Sequence, residues 1–281
     1  MVRGGTVAGM SLDEKHVDIR EDIFRKTFNR RVTGVLIAEQ AGVLSGIQRA
    51  RHIMGALGLS VASSLKDGSP LEEDQKIVHV TGNPVQIAQA EERLIGALSK
   101  FSGIATAAKS ALQKANGKFK VVAGGWKKMP FELKEPIQQA IRDGGVNPRM
   151  SDEPFIYLDK NYVRMLGGVR KAVEAAEVFK RMIVIQIRGE TMDIAEEAVE
   201  AAKAGAHVVM VDTGNHDHLR SVGHTLTKSG LRSQVKIAFA GNIRLDDLEA
   251  LWQFDLDVVD IGYAILDAPC LPMRFDVVAM A

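Results

Sequence analysis

The chain has 281 residues, of which 46% are hydrophobic and 25% are charged, with 36 lysines and arginines against 35 acidic residues. This near-neutral balance gives no reason to expect attraction to nucleic acid or to a membrane surface, and no apolar run reaches the ~20 residues needed to cross a bilayer. A single cysteine, Cys270, excludes an intramolecular disulfide and any multi-cysteine metal site.

The first residues of the chain bear on its location in the cell. Residues 1–22 turn polar and acidic too soon for a secretory signal. Cys270 lies in the apolar stretch AILDAPCLPM, which predicts a buried structural thiol rather than a nucleophile. Together these features predict a protein of the reducing cytoplasm.

The first ~100 residues mix short strands with helices, a pattern typical of α+β domains. GVLIAEQAGVLSG predicts two strands around a turn, and IQRARHIMGALG predicts a helix that stops at Gly58. LSVASSL and KIVHVTGN predict two further strands. A long helix is predicted from Pro84 through PVQIAQAEERLIGALSKF, with Asn83 as its cap.

From about Lys118 the pattern changes to strands that are apolar on both faces. The predicted strands are FKVVAG, FIYL, MIVIQIR, HVVMVD, VKIAFAG and VVDIG, and the predicted helices between the later ones include MDIAEEAVEAAKAGA and LDDLEALWQ. This alternation predicts a parallel sheet covered by helices, and the number of such units favours a βα barrel over an open sheet. In either case the reactive face lies at the carboxyl ends of the strands.

Cations follow several of these predicted strands, beginning with the stretch KFKVVAGGWKKMP (118–130), in which Trp126 precedes two lysines. The cations expected on this rim are Lys127, Lys128, Arg149, Lys160 and Arg188. Each alone would read as a surface charge, but together they predict a pocket for a phosphate or a carboxylate. A Schiff-base role for Lys127 is an alternative, although nothing in the sequence marks this lysine as desolvated.

Two turns predict a phosphate site. AFAGNI places Gly241 and Asn242 between a strand and a helical segment, and VDIGYA places Gly262 and Tyr263 in the same arrangement one unit later. Backbone amides at such turns can bind phosphate. The alternative is that glycine merely allows each turn to close.

Asp212 ends the predicted strand HVVMVD, where a carboxylate suits Mg²⁺ or a sugar hydroxyl. The alternative for Asp212 is helix capping, for which Thr213 and Asn215 compete. His216 and His218 have a spacing that does not present both to one ligand from a helix, so we expect them in a solvated loop rather than a metal site.

The order of motifs resembles the quinolinate phosphoribosyltransferase family over nearly the whole chain. The matching stretches are GVLSGIQRA, HIMGALGL, KDGSPLEEDQKIVHVTG, EERLIGALSKFSGIAT, GGVNPR, AGAHVVMVD, AGNI and VVDIGYA. EERLIGALSKFSGIAT is the most specific of them. No single stretch would carry the resemblance; their order and spacing do.

The resemblance implies an α/β protein: an N-terminal α/β sandwich domain (1–115) and a C-terminal open α/β barrel (116–265) of the type II phosphoribosyltransferase kind. The tail, 266–281, would pack on the first domain. The resemblance also implies a homodimer, with higher assembly open, in which Arg93 reaches the neighbouring subunit's site. The implied reaction joins a pyridine nitrogen to the anomeric carbon of phosphoribosyl pyrophosphate with Mg²⁺ as cofactor, followed by loss of a carboxyl group.

Several positions match the residues that the family uses. Lys127 and Arg149 match a lysine and an arginine of two substrate-binding motifs, and Asp212 matches the aspartate on the metal side. Gly241 and Gly262 fall in the phosphate turns. The resemblance therefore implies catalytic roles for Lys127 and Asp212, the latter also as metal ligand. Taken with the cations expected on the rim, the candidate substrate-binding residues are Arg93, Trp126, Lys128, Arg149, Lys160 and Arg188, and the candidate phosphate-binding residues are Gly241, Asn242, Gly262 and Tyr263.

Other positions depart from the family pattern. Trp126 stands where an arginine is expected, Pro148 where a histidine is expected, and Asp159 where a lysine is expected, with Lys160 beside it. Gln186 and Arg188 replace acidic residues on the metal side. A dianion such as quinolinate would lose charge-assisted contacts worth about 1.5–3 kcal/mol each. Two such losses cost about a hundredfold or more in affinity.

These departures favour a divergent phosphoribosyltransferase that binds a phosphosugar and an anionic aromatic acceptor other than quinolinate. Two alternatives stay open. One is an authentic quinolinate phosphoribosyltransferase that makes nicotinate mononucleotide, pyrophosphate and CO₂ for NAD biosynthesis. The other is a barrel that binds a phosphorylated ligand without catalysis.

Overall fold

The structure, a computed structural model, describes residues 18–281. Residues 1–17, on which most of the expectation about a secretory signal rests, lie outside the described range. Within that range, no helix combines the length and the apolar character that a membrane span requires.

The elements follow the predicted order. The strands are β1 (Val32–Ala38), β2 (Gly42–Val43), β3 (Ser60–Ser64), β4 (Pro70–Leu71), β5 (Lys76–Gly82), β6 (Lys120–Val122), β7 (Phe155–Leu158), β8 (Met182–Ile187), β9 (Val208–Asp212), β10 (Lys236–Ala240), β11 (Val258–Asp260) and β12 (Met273–Met280). The α-helices are α1 (Arg20–Ile23), α2 (Ile47–Ala56), α3 (Pro84–Ala115), α4 (Phe131–Asp143), α5 (Lys160–Leu166), α6 (Val169–Glu177), α7 (Ile194–Lys203), α8 (His216–Lys228) and α9 (Tyr263–Leu266).

The first part of the chain forms an antiparallel sheet in the order β12-β1-β5-β3, with α3 packed against it and α2 packed against α3. The predicted start of α3 is confirmed, because Asn83 Oδ1 accepts from the amide of Gln86 at 2.9 Å while Gln86 Oε1 accepts from the amide of Asn83 at 2.8 Å. The helix continues well past the predicted Phe101, to Ala115. Its first half lies in the core of the first sheet, and its second half, which is rich in buried alanines, lies in the core of the second part of the molecule.

The C-terminal strand β12 returns to the first sheet and pairs with β1, from Val32 opposite Met280 to Ala38 opposite Met273. The segment before it crosses α3, where Leu271 is buried and its amide donates to the carbonyl of Ser99 at 2.9 Å. Cys270 points the other way and is exposed, so the prediction of a buried thiol is wrong. The apolar sequence context reflected the neighbours of Cys270 rather than Cys270 itself.

The second part of the chain is a curled parallel sheet in the order β6-β11-β10-β9-β8-β7, with an opening between β6 and β7. Its inner face carries small and apolar side chains such as Met210 and Ala238, while Val209 and Ile237 on the outer face pack against the helices. Both faces are therefore buried, which explains the continuous apolar strands. The predicted fold, an α/β sandwich followed by an open α/β barrel, is confirmed.

The predicted helix LDDLEALWQ instead forms two short 3₁₀ turns, Leu245–Asp247 and Glu249–Gln253. Its inward-facing leucines, Leu245, Leu248 and Leu251, recur every three residues. That spacing matches the three residues per turn of a 3₁₀ helix and not the 3.6 of an α-helix.

Candidate active site

The double glycine after β6 lets the chain turn tightly against the end of β11. A Cβ on Gly124 would lie 2.9 Å from a carboxylate oxygen of Asp260, and one on Gly125 would lie 3.1 Å from the Cα of Gly262. The amide of Gly124 donates to Asp260 Oδ1 at 2.8 Å. The chain then forms a 3₁₀ turn, Gly125–Lys128, that presents Trp126 and the two lysines at the carboxyl end of the sheet.

A cavity of ≈ 300 Å³ opens at this end of the barrel, on the side where β6 and β7 are unpaired. Its lining residues are Val122, Gly124, Trp126, Lys127, Pro148, Arg149, Met150, Pro154, Phe155, Tyr157 and Asp260. The walls are largely apolar and aromatic, and the charged groups are two cations and one carboxylate. Such a pocket suits a flat ligand that carries an anionic group.

Trp126 forms one wall of this cavity. Its indole N–H donates to the carbonyl of Pro148 at 2.7 Å, and the side chain is buried at 9% exposure. The guanidinium carbon of Arg149 lies 5.7 Å from the Trp126 ring centroid. The tryptophan therefore fixes the 147–150 loop and carries a cation on its face.

Lys127 brings the second cation to the cavity. Its ammonium nitrogen lies 4.4 Å from the centroid of the Tyr157 ring. Although Lys127 is exposed as a residue, desolvation around the ammonium lowers its pKa, and the charge of Arg149 lowers it further against the opposing effect of Asp260. A bound anion would compensate this unfavourable environment. The desolvation of Lys127 was not visible in the sequence.

Asp212 lies at the end of β9 in a network with Gln186 and Arg188. Arg188 Nη1 lies 3.0 Å from Asp212 Oδ2, and the amide of Gln186 donates to the same oxygen. Burial raises the pKa of Asp212, opposed chiefly by the charge of Arg188. The capping alternative fails because Asn215 caps α8, accepting from the amide of Asp217 at 2.8 Å.

Lys160 and Lys128 lie beside this network. The backbone amide of Lys160 donates to Gln186 Oε1 at 2.8 Å, while Asp159 caps α5. Capping explains why an aspartate is tolerated at position 159. Lys128 Nζ lies 4.9 Å from the Tyr263 ring centroid, so this lysine reaches toward the end of β11 rather than into the cavity.

The predicted phosphate turns follow the neighbouring strands β10 and β11. Gly241 has a φ of 109°, and a Cβ there would lie 2.5 Å from the amide nitrogen of Gly214. Only glycine fits this close approach, so the turn needs glycine whether or not it binds phosphate. Asn242 also has a positive φ, 54°, and is exposed.

Other residues predicted to be functional lie outside the cavity and outside the network around Asp212. Arg93 is exposed on α3 in the first domain and does not line the cavity. His216 and His218 were predicted to lie in a loop, and this prediction is wrong, because α8 begins directly after Asn215 and contains both. His216 packs 5.7 Å from the Phe239 ring and 5.3 Å from the Phe254 ring. Between residues 18 and 281, no His, Cys, Asp and Glu side chains form a group of three suited to a metal.

Three residues of this end of the sheet were missed by sequence reasoning. Tyr157 and Asp260 line the cavity at the ends of β7 and β11. Glu197, on α7, is 1% exposed and its carboxylate accepts from the backbone amides of residues 188–191. Strand ends could have pointed to Asp260, since it closes the run VVD, but an ordinary helical sequence gave no sign of Glu197.

Asp260 provides a test through the pH dependence of stability. Burial raises the pKa of Asp260 in the folded state, so the folded protein favours the protonated carboxyl group. The contribution of this group to the free energy of unfolding is therefore fully present below the pKa of the unfolded chain, and it is lost as pH rises through the pKa of the folded state. We expect the free energy of unfolding of Asp260→Asn, relative to the wild type, to increase with pH from acid to neutral. Urea unfolding at several pH values checks this, and a difference that falls with rising pH would contradict it.

A family model described as quinolinate phosphoribosyl transferase, C-terminal domain, matches residues 104–276, and the corresponding N-terminal domain model matches residues 19–102. The chain belongs to the quinolinate phosphoribosyltransferase family. The boundary between the two matches falls within α3, the helix shared by both parts of the molecule.

Relatives and solved structures agree with this membership. The chain is 30% identical over 262 residues to a human carboxylating nicotinate-nucleotide pyrophosphorylase, with 90% of this chain and 86% of that protein covered. It is 28% identical over 244 residues to a probable enzyme of the same name from Archaeoglobus fulgidus, covering 85% of this chain and 92% of the relative. A crystal structure of nicotinate-nucleotide pyrophosphorylase from Pyrococcus furiosus has a TM-score of 0.81 at 21% identity, over 92% of this chain and 72% of that one, and shows the shared fold.

Proposed function

We propose that this chain transfers the phosphoribosyl group of phosphoribosyl pyrophosphate to the ring nitrogen of an aromatic monocarboxylate. The nitrogen lone pair forms a bond to the anomeric carbon while the bond from that carbon to the pyrophosphate oxygen breaks. Pyrophosphate leaves with the bonding electrons. Membership of a family of transferases supports the reaction type, and the cavity supports the choice of acceptor.

The charge of the cavity wall carries the choice of acceptor. Lys127 and Arg149 contribute two positive charges and Asp260 one negative charge when it is ionised. Because Trp126 is uncharged where the family has an arginine, a second acceptor carboxylate would enter the partly desolvated pocket without that charged partner. Trp126, in place of a family arginine, adds an apolar surface against which an aromatic ring can pack.

The phosphosugar would lie across the neighbouring strand ends. Asp212, at the end of β9, would accept from the sugar hydroxyls, and the turns at Gly241 and Gly262 would offer backbone amides to the 5′-phosphate. Lys128 and Lys160 add positive charge beside these turns. Such groups act by stabilising charge that develops at the sugar and at the departing pyrophosphate.

The proposal includes a homodimer, in which Arg93 of one chain approaches the cavity of the other. Arg93 is exposed on α3, well separated in the sequence from the cavity residues, and a second chain would allow it to approach a neighbouring cavity. We therefore propose a homodimer in which Arg93 contributes a cation to the partner's acceptor. In Arg93→Ala, acceptor affinity should fall while the dimer persists, as measured by light scattering and acceptor titration together.

Transfer to quinolinate is the second candidate. The relatives named carboxylating nicotinate-nucleotide pyrophosphorylases favour it, since the human one covers most of this chain. It requires that Lys127, Arg149 and a partner's Arg93 hold both carboxylates without the arginine that Trp126 replaces.

Pyrophosphate release tests the two candidates together. The protein would be mixed with phosphoribosyl pyrophosphate and each of a panel of pyridine mono- and dicarboxylates. We expect kcat/KM for the best monocarboxylate to exceed that for quinolinate by at least about tenfold. The second carboxylate of quinolinate lacks one charge-assisted contact, and such a loss costs about 1.5–3 kcal/mol. Faster turnover of quinolinate would establish the second candidate. Binding of phosphoribosyl pyrophosphate, with no release of pyrophosphate in the presence of any acceptor, would establish a non-catalytic barrel.

A further inference from the structure

We infer that Arg188, rather than a divalent cation, supplies the positive charge beside Asp212 that binds the diphosphate of the phosphosugar. The inference rests on the proposed function and deepens it, because it makes phosphosugar binding independent of Mg²⁺. It replaces the expectation from family resemblance that Asp212 is a metal ligand.

The groups around Asp212 do not suit Mg²⁺. This ion requires oxygen ligands in near-octahedral geometry at about 2.0–2.1 Å. Asp212 Oδ2 instead accepts from the Gln186 amide and lies 3.0 Å from Arg188 Nη1. A dication bound to this oxygen would face a guanidinium at close range, and Gln186 turns its N–H group, not its oxygen, toward the carboxylate.

The other acidic groups near Asp212 are already engaged: Asp260 accepts from the amide of Gly124 at 2.8 Å, and Glu190 pairs with arginines. Glu190 forms a bidentate pair with Arg164, with 2.7 Å from each of two guanidinium nitrogens to its two oxygens. Arg188 Nε also lies 3.7 Å from Glu190 Oε1. Arg188 is thus held between two carboxylates, and neither is left to complete a metal site.

The loop that presents Arg188 is rigidly held. The buried carboxylate of Glu197 accepts from the amides of Arg188, Gly189, Glu190 and Thr191 at 2.8–3.1 Å, and from the Thr191 hydroxyl at 2.9 Å. A carboxylate bound by several backbone amides fixes the loop in one conformation. This clamp gives the guanidinium a defined position, as a ligand-binding group requires.

The guanidinium remains accessible to a ligand. The side chain of Arg188 is 36% exposed, and among the described residues only Nη1 donates a hydrogen bond, to Asp212. Its remaining N–H groups match the oxygens of a phosphate in a two-pronged geometry. Burial raises the pKa of Asp212, and the charge of Lys128 opposes that effect together with the charge of Arg188, so a second cation faces the same space.

Mn²⁺ binding, followed by electron paramagnetic resonance in the absence of substrate, tests the metal part of this inference. We expect the wild type to bind no stoichiometric Mn²⁺, and the double variant Gln186→Glu/Arg188→Glu to gain one site that Asp212→Asn then removes. One Mn²⁺ per wild-type chain that is lost in Asp212→Asn would overturn the inference. The wild-type measurement decides this point even if the double variant does not fold.

Calorimetric titration with phosphoribosyl pyrophosphate tests the diphosphate part. We expect the affinity in EDTA to lie within about threefold of that in Mg²⁺, and Arg188→Met to lower the affinity in EDTA by at least about tenfold, the loss of one charge-assisted contact. Binding that disappears in EDTA would overturn the inference. No binding in either condition would reject the proposed function, and with it the diphosphate role, while the Mn²⁺ result would still report on the metal site.

Discussion

Replacing Lys127 with methionine is expected to lower kcat/KM with the best acceptor by about a hundredfold, while the fold is retained. The ammonium lies over the Tyr157 ring in the cavity, where desolvation already lowers its pKa. A charge-assisted contact to the acceptor carboxylate in such surroundings is worth about 1.5–3 kcal/mol, and more where it stabilises the transition state. Methionine keeps a similar length of apolar side chain and removes only the charge.

The measurement is pyrophosphate release under steady-state conditions, with far-ultraviolet circular dichroism to check the fold. Lys118→Met is the matched control, since Lys118 is exposed near the opposite end of β6. We expect this control to retain wild-type activity. Equal activity of Lys127→Met and the wild type would remove Lys127 from the acceptor site.

Gly103→Ala is expected to destabilise the protein by about 3 kcal/mol or more, the upper range for overpacking a close contact. A Cβ at Gly103 would lie 1.9 Å from the backbone oxygen of Pro269, closer than any real contact. The helix α3 or the segment before β12 must therefore move. Because Leu271 in that segment donates to Ser99 of α3 and leads into β12, the movement would disturb the anchoring of the C-terminal strand.

Gly96→Ala on the same helix is the matched control. A Cβ at Gly96 meets nothing within 4 Å, so the replacement should be neutral or stabilise the helix by up to about 1 kcal/mol. Urea unfolding of both variants measures the difference. Similar free energies of unfolding for the two variants would contradict the close contact between Gly103 of α3 and the backbone of Pro269.

Much of the fold could be predicted because local signals agreed with the tertiary structure. Asn83 followed by Pro84 marked the start of α3 correctly, and the runs of apolar residues marked the strands of the parallel sheet. The end of α3 was missed because its second half is rich in alanine and serine, which carry little periodic signal. The 3₁₀ turns after Ile243 were missed because the spacing of three was read as a helical pattern.

The candidate site was predicted less completely, since its parts meet only through tertiary contacts. Strand ends identified Lys127, Arg149 and Asp212, but nothing local indicated that Trp126 would donate to Pro148. The desolvated ammonium of Lys127 lies over the ring of Tyr157, a residue that is distant in the sequence. Glu197 acts on a preceding loop from within a helix, and such a role leaves no motif.

Trp126 also provides the most direct test of the proposed acceptor pocket, since its side chain forms one wall of the cavity. The chain contains only two tryptophans, and Trp252 donates its N–H to the carbonyl of Lys114, away from the cavity. In Trp252→Phe, the remaining indole therefore reports on the cavity alone. Its fluorescence would be followed while pyridine mono- and dicarboxylates are added without phosphosugar.

We predict that the best aromatic monocarboxylate changes the Trp126 fluorescence with a Kd at least about tenfold lower than that of quinolinate, because the second carboxylate of quinolinate lacks the contact to the arginine that Trp126 replaces. Tighter binding of quinolinate than of every monocarboxylate would contradict the account of this pocket.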